Sequence, residues 1–197
     1  MNERAFFIDR DGVVNRMTRC AGKWDSPQNP QDVALVNDIE KVISWANKKG
    51  ITLIEVSNQP GVAKGKMDQK TSDAIEKRVH QLLGDRGAFV DKVYICPHHP
   101  EAVVAQLKAV CDCRKPKPGL LIKAAEELKI DLGKSVFLGD KASDVQAGRG
   151  AGCKTIIFIH AEDAGDKVEE AKRAKADYRL FEIRKAIPIV EKMLKSA

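Results

Sequence analysis

The residues Ala5-Phe6-Phe7-Ile8 form an unbroken apolar run that stops at Asp9. This is the pattern of a parallel strand buried on both faces that delivers polar side chains at its carboxyl end. Residues 51–56 repeat it and end at Ser57-Asn58-Gln59; further strand candidates are 92–96, 135–138, which runs into Gly139-Asp140, and 154–159. Helical spacing lies between them. Ile39, Val42, Ile43 and Ala46 recur at i, i+3, i+4, i+7 with Gly50 as a stop, and the pattern returns in Ile75, Val79, Leu82 and Leu83, then in Leu121, Ala124, Ala125 and Leu128. Pro118 suits the first turn of the last of these, where its missing N–H is no loss. Ile183, Ile187, Val190 and Leu194 predict a packing helix interrupted or started at Pro188. Residues 16–32, with Gly22, Pro27 and Pro30, read as a long loop.

Strand and helix thus alternate, which predicts an open, Rossmann-like parallel α/β sheet with helices on both faces and a ligand site beyond the strands' carboxyl ends. With 197 residues, no internal repeat and no long linker, a single domain over 1–197 is expected, without a large cap. Hydrophobic residues at 43% supply a core, yet no apolar run approaches the ~18 residues of a membrane helix. The N-terminal MNERAFFIDR carries charges where a signal peptide has its apolar stretch, so a cytoplasmic protein with no membrane partner is expected.

The formal net charge of +6 raises two partners, nucleic acid or a small anion. A zinc-ribbon nucleic-acid module needs aromatics interleaved with its basic residues for stacking. Aromatics are 5% of this chain and do not cluster with Lys and Arg, so a small-molecule phosphate ester is the expected partner.

Asp9-Arg10-Asp11-Gly12 places two carboxylates two residues apart where a strand gives way to a loop. Two close carboxylates need a counterion; Mg²⁺ would relieve their repulsion and leave one free to attack phosphorus. The bland alternative is a polar turn, since Asp and Gly are common in turns. The other strand ends weigh against it. Ser57 and Asn58 offer a hydroxyl and an amide, Lys115 an ammonium, and Gly139-Asp140-Lys141-Ala142-Ser143-Asp144 further acids, which together make a phosphate site.

In order, FFIDRDGVVN, VSNQPG, CRKPKPG and LGDKASDV resemble the four motifs of the haloacid dehalogenase superfamily of phosphotransferases, and the resemblance runs from about Ala5 to Ile159. It implies a Mg²⁺-dependent phosphatase acting on a sugar phosphate. In that reading Asp9 is the nucleophile that forms an aspartyl-phosphate, and Asp11 is the general acid and base, which must stay protonatable while Asp9 stays ionised. The resemblance further implies that Asp9, the backbone carbonyl of Asp11, and Asp140 hold Mg²⁺, while Ser57, Asn58 and Lys115 bind phosphate. Gln59, Arg114 and Lys141 would meet substrate, and Asp144 would support the site rather than ligate. Small superfamily members without a cap are commonly monomers, and a monomer is expected here.

Cys96-Pro97-His98 and Cys111-Asp112-Cys113 are two short hooks that supply three sulfurs and one imidazole, a set suited to tetrahedral zinc. His99 is an alternative to His98 on spacing, and plain buried thiols are the bland alternative; the resemblance puts zinc on Cys96, His98, Cys111 and Cys113. Four protein ligands leave no open position, so this zinc is expected to be structural, in a loop over 96–113 that places Arg114 and Lys115. Cys20 and Cys153 lack metal spacing and read as thiols. Twelve residues separate His98 from Cys111, which is similar to the superfamily branch acting on sugar bisphosphates, whereas histidinol-phosphate phosphatases have a shorter connection. Residues 16–32 depart from both. Glu55 is either an acid facing the cleft or a strand-end residue reaching solvent; Trp24 either lines the substrate entrance or is a plain loop residue, and Trp45 belongs to a helix interface.

Overall fold

The computed structural model describes residues 4–20, 22–160 and 164–195, the side chains of 164–167 excepted. Its centre is a six-stranded sheet in the order β5-β4-β1-β6-β7-β8, every neighbouring pair parallel. The strands are β1 (Ala5–Ile8), β4 (Thr52–Asn58), β5 (Lys92–Cys96), β6 (Val136–Gly139), β7 (Lys154–Phe158) and β8 (Tyr178–Leu180). The expected open α/β sheet is therefore found. The chain builds outward from β1 to β4 and β5, then crosses back to lay β6 on the other side of β1. That reversal opens a crevice at the carboxyl ends of β1 and β6, where such sheets bind ligands.

Period two in β1 decides which helices cover which face. Phe6 and Ile8 pack into one core with Ile39, Val42 and Ile43 of α1 (Ile39–Lys48), Ile75 and Val79 of α2 (Gln69–Gly84), and Val190 and Leu194 of α6 (Ala186–Lys195). Ala5 and Phe7 face the opposite way, onto Leu121 and Ala124 of α3 (Gly119–Leu128) and Ala147 of α4 (Ala142–Ala151). All four side chains of β1 are fully buried, which accounts for the unbroken apolar run. Among the described residues no helix is long and apolar enough to cross a membrane.

The structure corrects several expectations. β4 continues through Ser57 and Asn58, so these residues belong to the strand rather than following it. Pro118 is the N-cap of α3, one position before its first turn. Pro188 falls in the first turn of α6, which starts at Ala186, while Ile183 sits in a separate 3₁₀ turn. Within 16–32, strands β2 (Thr18–Cys20) and β3 (Lys23–Asp25) pair antiparallel instead of forming plain loop. Helix α4 and helix α5 (Ala164–Ala174) were not foreseen. The sequence of α4, ASDVQAGRGA, has too few large apolar residues to show a period. Gly148 is small there because a Cβ would lie 2.6 Å from Thr155 Cγ2, so helix and sheet touch backbone to side chain.

Candidate active site

Asp9 follows β1 directly and is tied into the sheet by its backbone N–H, which donates to the Leu138 carbonyl of β6 (2.9 Å). The next residues fold back in a tight turn in which the Arg10 carbonyl accepts from the N–H groups of Val13, Val14 and Asn15. Val13 and Val14, both fully buried, pin that turn to the core. Gly12 has φ +92°, a region that L side chains rarely adopt, and a Cβ there would lie 2.3 Å from Asp140 Oδ2. Glycine thus lets the turn close onto the carboxylate delivered by β6.

Lys115 arrives from the loop after Cys113 and is 4% exposed. Its Nζ reaches Asp9 Oδ1 and Asp144 Oδ1, both at 2.8 Å, and donates to the Val56 carbonyl at 2.8 Å. Asn58 fixes its backbone at both ends: Asn58 Oδ1 accepts from Lys115 N (3.0 Å) and Asn58 Nδ2 donates to Lys115 O (3.0 Å). Both amide atoms of Asn58 hold the lysine, a positioning role beside the phosphate contact expected of it. Asp144 Oδ2 accepts from the N–H groups of Asp140 (3.1 Å) and Lys141 (3.0 Å), so Asp144 braces the turn that carries Asp140. Lys141 Nζ lies 3.7 Å from Asp140 Oδ1.

Asp11 is held from four sides. Its Oδ2 accepts from Ser26 Oγ (2.7 Å) and Gln59 Nε2 (2.8 Å), and its Oδ1 from Asn15 Nδ2 (3.0 Å) and Arg10 Nε (3.3 Å). The same Gln59 amide donates to Ser57 Oγ at 2.7 Å. Burial pushes the Asp11 carboxyl up, but Arg10 and the three neutral donors outweigh it and leave the group at about 2. Burial raises Asp9 more effectively, to about 6, against the pull of Lys115. The two carboxyls are thus shifted in opposite directions, because the hydrogen-bond donors converge on Asp11. Lys115 is raised despite burial, since Asp144 and Asp9 favour its charged form.

Among the described residues three clusters have ligand groups close enough for a metal; one, Glu55, Glu76 and His80, is already joined to the Arg10 guanidinium, and the other two match the sequence expectations. One oxygen each from Asp9, Asp140 and Asp144 lies within 4.8 Å of the others, and all three residues are buried. Such a hard-oxygen set fits Mg²⁺. In the second, Cys96 at the end of β5 lies 3.5 Å from Cys111 and 3.1 Å from Cys113 (Sγ to Sγ), Cys111 lies 3.1 Å from Cys113, and His98 Nδ1 is 3.4 Å from Cys113 Sγ. A tetrahedron with Zn–S bonds near 2.3 Å has S···S edges of about 3.8 Å, so this cluster is within a small relaxation of closing on zinc. His99 points elsewhere, its Nδ1 accepting from the Glu101 N–H at 3.1 Å. Arg114 leans on the same loop, Nη1 donating to the His98 carbonyl at 3.2 Å.

Several site residues escaped sequence reasoning. Ser26 lies in the segment read as loop, and His160, just past the end of β7, sends Nε2 to within 2.7 Å of the Gly12 carbonyl. The strand-end rule that found Asp140 points equally at His160. Glu55 neither faces the cleft nor reaches solvent: it is fully buried, with Oε2 3.2 Å from His80 Nε2 of α2. That bond raises His80 above its usual range. Trp24 lines a cavity of about 880 Å³ beside Asp140 and Lys141, together with Arg16, Phe181 and Arg184. Cys153 is a buried thiol, pushed up to about 12 by desolvation.

A carboxylate pair at the end of a central parallel strand, a lysine that bridges its first member to an acid of α4, a further acid at the end of β6, and the fold around them define a class. The chain belongs to the haloacid dehalogenase superfamily and is a phosphoric monoester hydrolase. A family model described as "HAD-hyrolase-like" matches residues 112–182. Among individual relatives, the chain is 34% identical over 184 residues to D-glycero-beta-D-manno-heptose-1,7-bisphosphate 7-phosphatase of Vibrio cholerae serotype O1, covering 93% of this chain and 94% of that protein. The Escherichia coli K12 protein of the same name is 33% identical over 172 residues, covering 83% and 87%. A solved structure of D,D-heptose 1,7-bisphosphate phosphatase from B. bronchiseptica, complexed with magnesium and phosphate, superposes with a TM-score of 0.77 at 27% identity over 98% of this chain and 99% of that one.

Proposed function

We propose that the chain is a single-domain, Mg²⁺-dependent phosphatase that removes the 7-phosphate of D-glycero-β-D-manno-heptose 1,7-bisphosphate through an aspartyl-phosphate on Asp9. The observation that carries the mechanism is the position of the buried Lys115 Nζ, 2.8 Å from Asp9 Oδ1. The heptose substrate is supported by the relatives that match over most of their length. Held by Asp9, the Asp11 carbonyl and Asp140, Mg²⁺ would supply positive charge that keeps Asp9 ionised and offsets the phosphoryl oxygens.

An Asp9 carboxylate oxygen attacks phosphorus while the bond to the sugar oxygen breaks, and Asp11 gives that oxygen its proton. Asp11 then takes a proton from water as the water oxygen attacks the same phosphorus, which releases phosphate and restores the Asp9 carboxylate. Lys115 and Ser57 offset charge on the phosphoryl oxygens. Ser26 Oγ, 2.7 Å from Asp11 Oδ2, can donate to the ionised carboxylate and, on rotation of its hydroxyl, accept from the protonated one.

The substrate is tested by comparing kcat/KM for heptose 1,7-bisphosphate, sugar monophosphates and histidinol phosphate, with and without a Mg²⁺ chelator. The bisphosphate is expected to lead clearly and chelation to stop turnover. Arg114→Ala is expected to narrow the lead over histidinol phosphate by about 1–3 kcal/mol, the worth of a charge-assisted contact. A preference for histidinol phosphate would overturn the substrate while leaving the mechanism standing.

Gly12 tests the placement of Asp140 in the metal site. Gly12→Ala forces a Cβ onto Asp140 Oδ2 in a backbone region that costs about 1–3 kcal/mol for such a residue. The Mg²⁺ concentration giving half-maximal rate is expected to rise about tenfold or more, the equivalent of that strain. An unchanged half-saturation would remove Asp140 from the metal site.

A further inference from the structure

On the face of β4 that Leu53 shares with the apolar core of α1 and α2, Glu55 stands two residues on, fully buried. A buried carboxylate is costly unless it is paired. Its partners lie on α2: His80 Nε2 is 3.2 Å from Glu55 Oε2, and Glu76, one turn before His80, presents its carboxylate to the same space. The group that links this cluster to the catalytic turn is Arg10, itself 2% exposed. Arg10 Nη1 donates to Glu76 Oε2 at 3.2 Å, while Nε and Nη2 donate to Asp11 Oδ1, each at 3.3 Å. A guanidinium is planar, so fixing Nη1 on one side sets the direction of the Nε and Nη2 edge on the other.

We propose that Arg10 is a positioning residue for Asp11, and that Glu76, backed by Glu55 and His80, is the anchor that holds its guanidinium in place. The inference rests on the reading of Asp11 as the general acid. Sequence alone shows Arg10 wedged between two acids; the fold adds a second, remote carboxylate to which it is tied. The anchor therefore acts on Asp11 orientation and not on Asp9, on Lys115 or on substrate affinity.

The test compares leaving groups. kcat/KM reports the steps through cleavage of the phosphorus–oxygen bond. An alkyl phosphate, here the sugar phosphate, needs a proton on its leaving oxygen, whereas p-nitrophenyl phosphate does not. Glu76→Ala is expected to lower kcat/KM for the alkyl phosphate about tenfold and for p-nitrophenyl phosphate by less than about twofold, a fraction of what general acid catalysis supplies. Glu76→Gln is expected to restore most of the loss, because its amide oxygen still accepts from Arg10 Nη1. A merely structural role would lower both substrates together and would not be rescued in this selective way. Asp11→Asn, run in parallel, is expected to show the same selectivity at about 10²-fold or more. If Asp11→Asn is selective and Glu76→Ala is not, the anchor is overturned alone. If Asp11→Asn shows no selectivity, the acid assignment fails and the anchor fails with it.

Discussion

Asp9→Asn is expected to lower kcat by on the order of 10⁴-fold or more, the scale on which removing a covalent nucleophile acts. The amide fills the same space but cannot form the acyl phosphate, so acid-quenched protein is expected to carry no phosphoryl group. The fold should survive. Asn keeps an oxygen to accept from the Arg10 N–H, which now reaches Asp9 Oδ1 at 2.7 Å, and Lys115 retains Asp144 and the Val56 carbonyl as partners. Breaking a buried ion pair outright costs about 3–5 kcal/mol, but here the lysine loses one of two carboxylates and is not stranded. A melting transition close to that of the unaltered protein, with no turnover, is the expected pair of results. Activity within tenfold of the unaltered protein would sink Asp9 as the nucleophile.

How much of this site could be read from the chain depends on how local each contact is. Asp9, Ser57 and Asp140 announce themselves as polar residues that close apolar runs, because burial of a parallel strand on both faces ends where the crevice begins. The zinc hooks are legible for a similar reason, since each pair of donors lies within three consecutive residues. What needs a contact between distant segments was not legible. Asn58 holds a lysine 57 residues further on through both amide atoms, a contact that no local pattern announces. Glu55 looked like a strand-end acid because no spacing rule connects it to Glu76 and His80 across the sheet-to-helix interface. Helix α4 was missed because its packing rests on small residues lying close to the sheet, which carry no hydrophobic period. The hairpin within 16–32 was missed because strands of three residues each are too short to show alternation.

The second large effect concerns the zinc loop. Protein purified without added metal is expected to contain close to one zinc per chain, and Cys111→Ser is expected to lose it. The physical basis is the cluster itself: three sulfurs with edges of 3.1–3.5 Å and an imidazole nitrogen converge on one point, a small relaxation away from tetrahedral zinc. A closed four-ligand site contributes to folding directly, so its loss should lower the melting midpoint by on the order of 10 °C for a chain of this size. Catalysis should fall with it, because Cys113 is followed at once by Arg114 and Lys115, and Lys115 Nζ must arrive within hydrogen-bond distance of Asp9. The loss is expected mainly in kcat/KM, and added Mg²⁺ should not restore it, which separates this effect from the chelation of the carboxylate site. Absence of zinc, together with unchanged Mg²⁺-dependent kinetics in Cys111→Ser, would show that the four residues are ordinary packing groups and that the loop positions Lys115 without metal.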